Sequence, residues 1–296
     1  MGSSDSPVTV ENVSDLPQPA TSQTPPGRSV PPQPAKSQAP PGRSAERLAR
    51  LVRGASLTSA NALAGLGAAD PTRGGPLTHV AELAARPAYF GAWPSWTPDV
   101  VRERLTELGI DSLWRHQVAA GELARSGRHV VVSTGTASGK SLAYQLPALA
   151  ALEDDPRGRV LYLAPTKALA HDQLAAVTAL AGPSVRPAAY DGDTPVDERD
   201  WVRQHSRWIV TNPDMISRGI LPRHPRWSSM LRNLRFVVVD ECHAYRGLFG
   251  AHVGNVLRRL RRICARYGAA PTFVLASATV ADPEASALRL TGLDAS

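Results

Sequence analysis

RHVVVSTGTASGKSLAY, residues 128–144, is the stretch that decides the fold. Val130, Val131 and Val132 read as a buried parallel strand, and Gly139-Lys140-Ser141 opens a helix behind a Gly-rich loop. That order makes a phosphate-binding loop, because glycines let backbone N–H groups close around phosphate oxygens at a helix N-terminus. The loop consists of Thr134, Gly135, Thr136, Ala137, Ser138 and Gly139. Lys140 is then placed to reach the β- and γ-phosphates, and the Ser141 hydroxyl to reach Mg²⁺. The strict pattern has a glycine where this chain has Thr134, and Gly135 is displaced by one. The departure spares Gly139, Lys140 and Ser141, where a side chain would block phosphate or where a cation and a hydroxyl are required. A Gly/Ser/Thr loop between strand and helix is also ordinary turn chemistry, so the rest of the chain has to decide.

With 296 residues the chain is long enough for one large domain with a proper core. Prolines crowd the first 45 residues, which also carry a near-duplicate, SQTPPGRS at 22–29 and SQAPPGRS at 37–44. Such a segment has too few large apolar residues to offset its own ordering entropy, so residues 1–76 are expected to be a disordered arm and linker, rich in Pro, Ser and Gly. The repeat reads as a solvated spacer, with a partner-docking motif as the alternative. Within the arm, AERLARLVR at 45–53 has the pattern of a short helix. Cys242 and Cys264 have neither metal-ligand spacing nor a disulfide framework, which fits a reducing cytoplasm. No apolar run reaches the length of a membrane span and the N-terminus lacks a signal-peptide core, so no membrane partner is expected. A net charge of +7 with a pI near 9.9 is compatible with nucleic acid but does not by itself demand it.

From residue 77 to 296, strand-like runs alternate with helical patterns, which predicts a doubly wound parallel α/β sheet. Strands are expected at 129–133, 159–163, 186–190, 207–211, 235–239 and 272–276. Helices are expected at 98–108, 116–126, 139–152, 167–181 and 250–267. Chemistry in such sheets sits at the C-terminal ends of the strands. The strand of FVVVDECHAYRG, residues 236–247, ends in Asp240 and Glu241. One carboxylate there can hold Mg²⁺ and the other can orient and deprotonate a water, as hydrolysis of a phosphoanhydride requires. FVLASATV, residues 273–280, ends in Ser277, Ala278 and Thr279, small hydroxyl residues suited to a relay but equally to a helix cap.

Taken together, LWRHQ at 113–117, TGTASGKS at 134–141, APTKALAHDQ at 164–173, YDGDTP at 190–195, TNPDMI at 211–216, DECH at 240–243 and SAT at 277–279 resemble the ordered motifs of a superfamily 2 helicase of the DEAD/DEAH-box kind. The wording of TGTASGKSLAY, TKALAHDQ and HAYRGLFGAHVGNVLRRLRRI resembles the mitomycin repair factor branch of DNA helicases. The resemblance implies a RecA-like P-loop NTPase lobe using ATP and Mg²⁺, with hydrolysis coupled to 3′ to 5′ movement on DNA in repair. It implies that Gln117 reads adenine with Trp114 shielding the base, and that Lys140, Asp240 and Glu241 are catalytic. Ser141 and Asp240 would hold the ion, and His243, Ser277 and Thr279 would couple hydrolysis to movement. Pro165, Thr166, Lys167, Thr211 and Asn212 would touch phosphates of a single strand, DNA in the first place with RNA not excluded. The matched motifs are those of a first lobe, so a second RecA-like lobe is expected to be absent or supplied in trans, and activity alone to be weak. A stand-alone ATP-dependent nucleic-acid binding module is the alternative, and an unrelated P-loop ATPase a further one. Arg258, Arg259, Arg261 and Arg262 read as a solvated basic face, with DNA contact as their alternative. Tyr89, Trp93 and Trp96 read as packing of an N-terminal extension, with base stacking as theirs.

Overall fold

The computed structural model describes residues 8–10, 89–135 and 138–293. The proline repeat, the short helix expected at 45–53, and the loop residues Thr136 and Ala137 lie outside the described residues. In chain order the elements are β1 (Val8–Val10), β2 (Phe90–Gly91), α1 (Asp99–Glu107), β3 (Leu113–Trp114), α2 (Arg115–Arg125), β4 (Val130–Ser133), α3 (Lys140–Asp154), β5 (Arg159–Leu163) and α4 (Lys167–Leu180). They continue with β6 (Ala188–Ala189), α5 (Val196–His205), β7 (Trp208–Thr211), β8 (Leu234–Val239), α6 (Gly247–Arg266), β9 (Thr272–Ser277) and α7 (Pro283–Thr291). An irregular helical run of α, π and 3₁₀ turns, with Pro222 and Pro225 inside it, fills the interval from Pro213 to Arg232. Among the described residues no helix is long and apolar enough to cross a membrane.

Six parallel strands stand in the order β4-β9-β8-β5-β7-β6, and β1 adds to β4 in parallel register, Val8 opposite Val130. The β1 strand was not marked by sequence pattern. Each long strand is buried on both faces, which is why it reads as a continuous apolar run. Val130, Val132, Val160, Tyr162, Val238 and Val274 face one core, shared with α1 to α4. Their neighbours Val131, Leu161, Leu163, Val237, Val239 and Leu275 face the other, shared with α6 and α7. The expected doubly wound sheet is therefore present, flanked by helices on both sides.

Two of the extension's tryptophans pack. Trp93 donates its indole N–H to the Asp111 carbonyl at 3.1 Å. Trp96 lies so close to α2 that a Cβ on Gly121 would come within 3.0 Å of its ring. Tyr89 stays about half exposed. The arginines of α6 divide as well: Arg258 donates to the Arg289 carbonyl at 2.6 Å, and Arg261 to the carbonyls of Thr291 and Gly292. These guanidinium groups satisfy the last carbonyls of α7, where cations also favour the helix dipole. Arg259 and Arg262 remain solvent-facing.

Candidate active site

The sheet order gathers the motifs along one edge, at the C-terminal ends of the strands. β4, β9 and β8 end in the phosphate loop, in SAT and in DECH; β5, β6 and β7 end in APTKAL, YDGDTP and TNPDM. β8 lies between β9 and β5, so Asp240 stands where the two groups meet.

At the phosphate loop, Ser133 is in register with Ser277. The Ser133 hydroxyl donates to the Ala278 carbonyl at 3.3 Å, and the Thr134 N–H to the Ser277 carbonyl at 3.4 Å. Thr134 and Ser138 share a hydroxyl hydrogen bond of 2.6 Å across the loop. Gly139 takes φ 73° at the N-cap of α3, a left-handed conformation, and a Cβ there would sit 2.7 Å from Gln117 Nε2. Both facts demand glycine. The α3 N-terminus has no side-chain cap and no acid in its first turn. The Leu142 N–H donates to the Gly139 carbonyl at 3.2 Å, and no side chain caps this end, in contrast to α4 and α7, which Thr166 and Asp282 cap. Lys140, only 9% exposed, donates to the carbonyls of Thr134 and Gly135, both at 3.0 Å. A lysine curled onto carbonyl oxygens in this cradle is a cation holding acceptors where phosphate oxygens would fit. The residues therefore suit a nucleoside triphosphate.

Gln117, buried at 2% exposure, is wedged beneath that loop. Its Nε2 donates to the Gly139 carbonyl at 2.8 Å and its Oε1 accepts from the Trp114 N–H at 2.9 Å. As placed, the amide staples α2 to the loop. Trp114 is 38% exposed and its ring lies 5.0 Å from that of Phe90, making a small aromatic ledge beside it. His116 is also buried under the loop; burial pushes its imidazole below the ordinary histidine range, and the Lys140 charge acts in the same direction against a backbone hydrogen bond at Ser138.

Asp240 is buried and held by three neutral donors. Tyr162 OH donates to its Oδ2 at 2.6 Å, Tyr144 OH lies 3.0 Å from the same oxygen, and the Glu241 N–H donates to Oδ1 at 2.8 Å. A carboxylate without a cationic partner in this set suits a divalent ion, and Ser141 stands in the first turn of α3, the helix that carries Tyr144. Burial, with Asp240 adding to it, raises both tyrosine hydroxyls above their ordinary range, so they remain donors. Sequence reasoning missed Tyr144 and Tyr162; both lie inside apolar runs and pass for core. Glu241 has φ 45°, unusual for a side chain larger than glycine and a strain that recurs at functional positions. Its carboxylate is 3.0 Å from His243 Nδ1, and the same nitrogen is 3.2 Å from the Ala278 N–H. His243 thus touches both DECH and SAT. Ser277 is buried beside Cys242, whose thiol burial pushes up to about 12, which removes it as a nucleophile. Thr279 is exposed.

The other half of the edge is thinner. Thr166 caps α4, accepting from the Leu169 N–H at 3.3 Å, and Lys167 is ion-paired with Asp193. Asn212 Oδ1 accepts from the Met215 N–H at 2.8 Å, and Pro165 is half-buried. Thr211 is the exception among the expected strand contacts. It is 2% exposed and its hydroxyl donates to the Tyr190 carbonyl at 2.6 Å, so its side chain is spent inside the sheet.

Residues 114–287 match the family model described as DEAD/DEAH box helicase. The ATP-dependent helicase YprA of Bacillus subtilis (strain 168) is 42% identical over 214 residues, covering 71% of this chain and 29% of the relative. ATP-dependent helicase HRQ1 of Saccharomyces cerevisiae (strain ATCC 204508 / S288c) is 43% identical over 180 residues, 58% of this chain and 17% of the relative. Among solved structures, the DUF1998 helicase MrfA bound to DNA and AMPPNP superposes with a TM-score of 0.68 at 43% identity, covering 70% of this chain and 30% of that one. The helicase Lhr of Mycobacterium smegmatis, bound to ssDNA and AMP-PNP, gives 0.56 at 29% identity over 67% of this chain and 27% of that one. The chain thus spans about three-tenths or less of these relatives' length.

Proposed function

The chain belongs to the DEAD/DEAH box helicase family, and from that premise we propose that it is the ATP-binding lobe of a DNA helicase that couples hydrolysis to 3′ to 5′ movement in repair. The observation that carries the reading is one sheet edge that joins an uncapped α3 N-terminus, the Lys140 ammonium and the Asp240–Glu241 pair. In this reading Gly139, Lys140 and the first N–H groups of α3 bind the triphosphate, while Ser141 and Asp240 hold Mg²⁺. The ion supplies charge neutralisation for phosphoryl transfer when bound. Glu241 orients the attacking water and takes its proton, with His243 beside it. Gln117 serves the adenine end by keeping the loop closed beneath the aromatic ledge of Phe90 and Trp114.

DNA as the partner is supported by the similarity to MrfA, whose structure is bound to DNA and AMPPNP and which is 43% identical over the matched span. On this chain the single strand would lie across Pro165, Thr166, Lys167 and Asn212. Turnover by this span alone is weak, because such sites gain about 10³–10⁵ in rate from an arginine supplied by a facing element. The test is ATP turnover by the purified chain with and without single-stranded DNA, with Lys140→Ala as the blank. DNA-stimulated turnover above the blank supports a working lobe. ATP binding without turnover leaves a nucleotide-binding module, and no binding at all removes the assignment.

A further inference from the structure

Tyr144 stands between two sites that the motifs treat separately. Its hydroxyl oxygen is 3.0 Å from Asp240 Oδ2 and 2.9 Å from Gln173 Oε1. A tyrosine has one hydroxyl proton, so it can donate to only one of these acceptors at a time. Tyr162 donates to Asp240 independently at 2.6 Å, and Gln145 Nε2 approaches Gln173 Oε1 at 3.3 Å, so either acceptor keeps one donor when Tyr144 turns away. Gln173 lies on α4, the helix whose first residues are Thr166, its cap, and Lys167. Tyr144 lies on α3, the helix that the phosphate loop opens. The side chain is fully buried, so water does not stand in for a lost partner.

We propose that Tyr144 is a positioning residue whose shared hydroxyl, with Gln173 as its second partner, links strand binding at α4 to the setting of Asp240 in the nucleotide site. A strand drawn onto Thr166 and Lys167 pulls on α4 and changes the Gln173 to Tyr144 distance. The hydroxyl proton then goes to Asp240 or leaves it. With the proton on Oδ2 the carboxylate is held by two hydroxyls; with the proton on Gln173 it keeps one and is freer to turn toward the ion. The inference rests on the helicase-lobe reading and adds a named route to it.

The experiment is a linkage measurement on the full chain: affinity for a fluorescent ATP analogue with Mg²⁺, with and without saturating oligo-dT, and the reciprocal titration. Wild type is expected to show a coupling of about fivefold or more, equal in the two directions as thermodynamics requires. Tyr144→Phe, which keeps the ring and removes only the hydroxyl, should bind each ligand within about threefold of wild type, the modest net cost of one lost hydrogen bond, yet lose the coupling. Gln173→Leu, at a half-exposed helix position, should lose it from the other side. Tyr162→Phe removes a hydroxyl from the same carboxylate without touching Gln173, and should keep it. Coupling that survives both Tyr144→Phe and Gln173→Leu, or that wild type lacks while binding both ligands, overturns the relay and leaves the lobe assignment intact. Failure of wild type to bind either ligand overturns both.

Discussion

The two halves of the sheet edge belong to one parallel sheet yet are built by different means. On the β4-β9-β8 side Lys140, Gln117 and Asp240 are buried and hydrogen-bonded, Lys140 to loop carbonyls, Gln117 to Gly139 and Asp240 to two tyrosines. On the β5-β7-β6 side the exposed polar residues serve turns and caps, and Lys167 pairs with Asp193 in solvent. Buried polar groups are costly to leave unpaired, an orphan donor costing about 1–3 kcal/mol. Exposed ones can wait in water. The nucleotide side is therefore preorganised and the strand side is a set of loosely held contacts, which suits a ligand tracked by its backbone rather than read by sequence.

The largest break in the contrast comes from Glu241→Gln. Glu241 is half-exposed and, among the described residues, its side chain contacts His243 alone by ion-pair distance, so the amide should fold and bind nucleotide as wild type does. Turnover should fall by about 10²–10⁴, the range for losing a general base. Equal turnover in the variant, measured against the Lys140→Ala blank, would take the base role away from this residue.

Asp240→Ala tests the buried side in the absence of any ligand. It leaves Tyr162 OH and the Glu241 N–H without their acceptor, and Tyr144 only Gln173. Stability should drop by about 1–3 kcal/mol in denaturant unfolding. Lys167→Ala on the strand side should leave the same curve in place. Indistinguishable curves for all three proteins would mean that the buried network is not preorganised.

Acidification should also separate the halves. His116 is held neutral by burial, so its folded pKa lies below the unfolded value of about 6.5. The folded state then binds fewer protons, and the stability His116 contributes is present above that value and lost as pH falls below it. The gap between wild type and His116→Gln in thermal unfolding should shrink from pH 7.5 toward pH 5. A gap that stays constant would show that the imidazole gains no preference for the neutral form under the loop.

Much of this was legible in the residues. The strand-loop-helix reading of 128–144 and the strands ending in Asp240 and Ser277 stand in the structure within a residue or two, because fully buried parallel strands are long apolar runs with little ambiguity. What escaped was either short or context-dependent. The β2–β3 pair is too brief for periodicity, α5 is mostly charged and carries few apolar marks, and the run from Pro213 to Arg232 mixes three helix types around its prolines. Tyr144 and Tyr162 escaped for a different reason: nothing local distinguishes a core tyrosine from one whose hydroxyl meets a carboxylate 96 or 78 residues away. Thr211 erred in the opposite sense, a motif residue whose side chain the sheet uses for itself.

The smallest effect lies where the exposed side pairs a motif lysine with a carboxylate. Lys167 donates to Asp193, which raises the lysine's pKa and lowers the aspartate's, and both side chains are mostly exposed. In the proposed reading a carboxylate on that ammonium occupies the place of a strand phosphate, so the pair would compete with the strand. Solvent-exposed pairs are weak, and freeing the lysine should gain little: Asp193→Asn is expected to tighten oligo-dT binding about two- to threefold at low salt. The gain should vanish in Lys167→Ala, which by itself should lower affinity and reduce the slope of log affinity against log salt by about one. Tightening by Asp193→Asn that persists without Lys167 would trace to general charge at this edge, and the distinction between a built nucleotide side and a competed-for strand side would rest on burial alone.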